Sequence, residues 1–169
     1  MKNFLMSILL VVACICVSCE PTEINGEIDK VKLSKLDKEK LDAIFQYVKE
    51  TQAYDILRQL DPEYRYLAGF PFVVKSEQEL RKLAPADVEL PKIDFTNHSL
   101  VWCIFRSGTS QTDIKSFRLI VKENGEATVI VRHRTTSIDC AIGTHCPYAV
   151  FDIPSSVIDD ISADVKDIR

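Results

Sequence analysis

The chain has 169 residues with 25 acidic and 21 basic side chains and a formal charge of −4, a size that suits one ordinary domain and leaves little room for two. The acidic balance argues against a protein held mainly by phosphate backbones, because that mode needs a dominant basic surface that releases counterions. No nucleic-acid partner is expected.

At the N-terminus Lys2 supplies a positive charge, and Phe4 to Val17 is an apolar stretch shorter than the roughly 18–20 residues that cross a bilayer as a helix. Residues 1–18 therefore read as a cleavable export signal. Ser18-Cys19 resembles the lipobox of bacterial lipoproteins, in which a small residue precedes the cysteine that becomes the lipidated first residue. That resemblance implies lipidation at Cys19, with Val11-Val12-Ala13-Cys14 as a competing site. It also implies an exported protein, lipid-anchored to the bacterial cell envelope at the outer membrane. Acyl chains contribute roughly 0.8 kcal/mol per buried CH₂, so the membrane partner is held without a spanning helix.

Residues 19–33 carry Pro21, Gly26 and many charges and read as a tether; residues 34–169 form the single domain. Ser34 and Asp37 make a capping box with Asp in the Glu/Gln place, followed at helical spacing by Leu41, Ile44, Phe45 and Val48. Ile56, Leu57 and Leu60 continue the stripe until Asp61-Pro62, giving one long helix or two short ones. Phe70 to Val74 reads as an edge strand because it contains Pro71, and Ser76 with Glu79 caps a short helix that Pro85 ends. Leu100 to Phe105 is a continuous apolar run of strand length, as expected of a central strand buried on both faces. The expected fold class is α+β, with N-terminal helices packed on a mainly antiparallel β-sheet or small sandwich.

Phe117, Leu119 and Val121 alternate, as do Ala127, Val129, Val131 and His133, so two strands form a hairpin. A two-residue Asn124-Gly125 loop would put the two apolar sets on opposite faces. A three-residue loop, Glu123-Asn124-Gly125 with Gly125 left-handed, pairs Lys122 with Glu126, Leu119 with Val129 and Phe117 with Val131, and all apolar residues then share one face. Ser116, Arg118, Ile130, Arg132 and Arg134 fall on the other, solvated face. After Pro154 a helix carrying Val157, Ile158, Ile161 and Val165 competes with a final strand.

Because the Gly125 turn lies at one end of the sheet, residues 107–112 and 135–147 meet at the other. Loops on a rigid scaffold are where recognition residues concentrate, so the candidate binding set is Arg106, Ser107, Thr109, Gln111, Arg134, Thr135, Thr144 and His145. With Cys14 and Cys16 lost and Cys19 lipidated, Cys103, Cys140 and Cys146 remain. Cys140 and Cys146 can close a short loop around Gly143, with roughly 2.4 kcal/mol from loop closure, leaving Cys103 buried. His133, Cys140, His145 and Cys146 also offer nitrogen and sulfur ligands for zinc, although their spacing departs from the usual paired motifs. No nucleophile elbow, phosphate loop or carboxylate pair is present, and no cofactor or catalytic residue is assigned.

The layout from Pro91-Lys92-Ile93-Asp94-Phe95 through the Leu100 strand, the hairpin and Pro147 to Pro154 resembles small envelope lipoproteins of gut anaerobes. More distantly it resembles the C-terminal domain of the accessory lipoprotein of the dentilisin protease complex. The resemblance implies a lipoprotein that binds or stabilises another protein. Two functions are carried forward: a non-enzymatic binding module for a protein partner, such as a protease, or a glycan; and a small enzyme or zinc protein using the His133 to Cys146 loop.

Overall fold

A computed structural model describes residues 26–60, 69–108, 111–136 and 142–168; the export signal and Cys19 lie outside them. Helix α1 (Lys35–Tyr47) begins where Ser34 accepts a hydrogen bond from the Asp37 backbone N–H at 3.1 Å. The Ser34 hydroxyl in turn donates to the Asp37 carboxylate, whose other oxygen accepts from the Lys92 backbone N–H at 2.9 Å. One π-helical turn, Val48–Gln52, joins α1 to α2 (Ala53–Leu60), so the helix is continuous but re-phased. The Ala53 N–H reaches back to the Val48 carbonyl, and both side chains face the core. Leu60 is exposed, and the buried stripe ends at Leu57.

Strand β1 (Phe70–Val74) is an edge strand, which suits a proline that cannot donate to a ladder. Ser76 caps α3 (Glu77–Leu83) by accepting from the Glu79 N–H at 3.2 Å, and the Glu79 carboxylate accepts from the Lys75 N–H at 2.7 Å. Strand β2 (Ser99–Ser107) is the central strand of the first sheet. Its alternate residues belong to different cores. Leu100, Trp102 and Ile104 pack with the helices, whereas Val101, Cys103 and Phe105 face a second sheet.

The second sheet holds β3 (Thr112–Val121) and β4 (Glu126–Thr135), with Leu119 opposite Val129 and Phe117 opposite Val131. Lys122 and Glu126 close a three-residue loop in which Gly125 has φ +82°, the hairpin that parity requires. A bulge at Lys115 shifts the register beyond it. Strand β5 (Gly143–His145) and strand β6 (Tyr148–Phe151) run along β2 in one register, interrupted at Cys146-Pro147. Of the two readings of the last segment, the strand is the observed one: after a 3₁₀ turn at Ser155–Val157, β7 (Asp160–Asp167) lies parallel to β4.

The fold is α+β, with helices on one face of the first sheet and the second sheet on its other face. The described part of the expected tether, from Gly26, takes part in this packing. Ile28 donates to the Leu119 carbonyl and Val31 to the Val150 carbonyl, both at 2.9 Å, so the arm bridges the β3 and β6 edges.

On the opposite side the two sheets approach at Gly69. A Cβ there would stand 2.3 Å from Val165 Cγ2 and 2.9 Å from Cys103 Sγ, and neither branched valine nor buried cysteine can swing away. Gly69→Ala is expected to destabilise the fold by about 1–3 kcal/mol. Gly125→Ala, with its positive φ and a Cβ meeting Asp159, is expected to cost at least ~1 kcal/mol. Urea unfolding midpoints check both.

Candidate functional site

Strand register brings the two polar loops together at the end of the sandwich opposite Gly125. Thr112 pairs with Thr135, Ser107 pairs with Gly143, and the Thr136 N–H and hydroxyl both donate to the Gln111 carbonyl. Between the sheets, Ser107 Oγ lies 2.8 Å from His145 Nε2 and 2.9 Å from Thr112 Oγ1. Phe105 stands below, its ring 5.1 Å from that of His133 and 5.2 Å from that of His145. Ser107 and His133 are 3% exposed and His145 9%, so this cluster is a polar floor under the loops.

Among the described residues, His133 Nδ1 in the floor and Thr144 Oγ1 on the helical side of β5 are buried without a hydrogen-bond partner, a state that native proteins largely avoid. Burial lowers the His133 pKa from its ordinary value, and the Asp167 carboxylate on β7 opposes this only in part.

The expected binding residues divide between faces. Ser107 and His145 point between the sheets, but Arg106 and Thr144 alternate to the helical face, where the Arg106 guanidinium lies 6.0 Å from the Tyr54 ring centre. Thr135 donates through its hydroxyl to Asp167 at 2.8 Å, and Arg134 is exposed at the end of β4. Thr109 and Cys140 lie outside the described residues. The floor residues Thr112 and His133 were not in the sequence-derived binding set; the alternation of His133 with Val131 placed its side chain inward, but only the β2–β5 pairing puts it beside His145.

Residues 143–145 are an extended strand on β2, Cys103 is buried, and Cys146 is a free thiol. The Cys140–Cys146 pairing falls partly outside the described residues. Cys146 packs against the helical core, on the opposite side of the sheet from His133 and His145, which separates members of the expected zinc set. Burial raises the Cys146 thiol to about 12, and raises Cys103 to about 12 with a further contribution from Cys146. The arginine stripe is largely paired: Arg132 binds Asp164 at 2.7 Å and Arg118 meets Glu27 at 3.5 Å. No family model, curated protein or solved structure matches this chain.

Because the folded pKa of His133 is depressed, the unfolded chain binds more protons near pH 6, and stability rises with pH. The contribution is complete above about pH 6.5 and is lost as pH falls. His133→Gln is expected to flatten this part of the stability–pH profile, measured by urea unfolding from pH 5 to 8. Ser107→Ala, which removes a hydrogen bond from buried His145 and another from half-buried Thr112, is expected to lower stability by about 1–3 kcal/mol in the same assay.

Proposed function

We propose that this protein is an exported, lipid-anchored envelope protein acting as a non-enzymatic binding module, which holds a protein partner or a glycan with the paired loops over the Ser107–Thr112–His145 floor. The observation that carries this reading is the polarity of the fold. The described chain enters at Glu27, which bridges to Ile120 near the Gly125 turn, whereas the loops lie at the far end of β3. Ten strand residues at about 3.3 Å each separate the two ends by roughly 30 Å. A tether joined to Cys19 would thus hold the domain by one end and leave the loops directed away from the membrane.

The small-enzyme alternative draws on the Ser107–His145 hydrogen bond, since a serine beside an imidazole is the start of a nucleophile. The burial of both side chains disfavours it, because a substrate carbonyl must reach the hydroxyl oxygen.

Incorporation of an alkyne-tagged palmitate in cells is expected to vanish in Cys19→Ala and persist in Cys14→Ala; the reverse pattern overturns the anchor at Cys19. A photo-crosslinking residue at Gln111 or Arg134 is expected to capture a discrete partner in intact cells, while the same residue at Lys82 on α3 captures none. Equal capture at all three positions overturns the loop assignment, and labelling of Ser107 by a fluorophosphonate would favour the enzyme.

A further inference from the structure

Away from the loop site, a groove of about 540 Å³ opens along the seam between the two sheets, where the arm crosses from β3 to β6 beside α1. Its apolar lining comes from Val31, Ile114, Phe117, Pro147, Ala149 and Val150. Its rim carries Lys30, Lys32 and Lys38, all exposed, against the single carboxylate of Asp42. That carboxylate is already engaged by the Tyr148 hydroxyl, which donates to it. Among the described residues the three rim lysines form no ion pair, unlike Lys35, Lys40, Lys115, Lys122 and Lys166. A chain of net charge −4 thus concentrates unpaired positive charge around one apolar groove.

We propose that this groove binds a medium-chain fatty acid, with its carboxylate among Lys30, Lys32 and Lys38 and its alkyl chain along Ile114, Phe117 and Ala149. The volume lies within the roughly 300–1,000 Å³ of small-molecule sites, which combine an apolar lining with a few placed polar groups. Charge complementarity selects an anion, and the lining selects an alkyl chain. An acidic peptide fits less well, because its backbone N–H and C=O groups would be desolvated against side chains that offer few hydrogen bonds. A second hollow of about 570 Å³ shares Asp42, Cys146 and Tyr148 with the groove, giving a longer chain room to continue past Tyr148.

The test uses the full chain in nanodiscs of zwitterionic lipid, a diazirine-bearing laurate and mapping of the photo-adducts by mass spectrometry. Adducts are expected on the segments holding Ile114 and Pro147 to Val150, competed by unlabelled laurate. The combined Lys30→Glu, Lys32→Glu and Lys38→Glu variant, which touches no core side chain, is expected to lower adduct yield at least tenfold, while Lys82→Glu leaves it unchanged. The proposal is overturned by adducts that map elsewhere, by equal yield from the triple variant, by competition from dodecanol as strong as that from laurate, or by competition from an acidic peptide alone.

Discussion

Strand β2 is the constraint on which the rest of the molecule depends. From Leu100 to Phe105 it has no side chain facing water, and successive residues enter two different cores. A one-residue slip would drive Trp102 into the space filled by Val101 and Cys103, and would turn Phe105 away from the two histidines. The register is held from both sides. Phe72 stands opposite Trp102 on β1 and stacks on it at 4.4 Å between ring centres, while Tyr148 stands opposite Trp102 on β6. The Phe45 ring then covers Tyr148 at 4.6 Å, so the π turn that sets the helix phase and the strand register form one packing unit.

The polar end of the sandwich follows from the same alternation. Ser107 continues the Val101, Cys103, Phe105 face, and the antiparallel partner of Phe105 is His145, so an apolar face becomes polar within a single step along the strand. The outer face of the second sheet is treated differently. Its Arg118 meets Glu27 and its Arg132 meets Asp164, while Arg134, nearest the loops, is exposed.

Much of this layout was legible in the sequence where side-chain periodicity and a backbone requirement agreed. The hairpin is the clearest case, because only a three-residue turn with left-handed Gly125 puts Phe117, Leu119, Val129 and Val131 on one face. Neighbouring loops followed from that turn. The faces within the site did not follow, because β5 is three residues long and its Gly-Thr-His sequence has no apolar alternation; its burial comes wholly from pairing with β2. The pairing of the N-terminal arm was not legible either, since the Ile28 side chain packs on the second core and Val31 on the first, which gives no regular alternation, while the register is fixed by their backbone N–H groups. At the C-terminus, Ile161 and Val165 satisfy a helical and an alternating spacing alike, and tertiary pairing with β4 decides between them.

The parallel union of β4 with β7, together with the arm on β3, has a kinetic consequence. Glu27 meets Arg118 across 91 residues, and Thr128 meets Ser162 across 34, so the second sheet draws on both extremes of the described chain. Contacts this distant must bear loop-closure entropy before any burial rewards them, which slows folding relative to a chain built from local contacts. The β3–β4 hairpin can form early by itself, and its inner face packs on the earlier strand β2, but its β4 edge stays unpaired until residues 160–167 have been made. Synthesis of the last strand is therefore the event that removes an aggregation-prone edge, and truncation there would expose it.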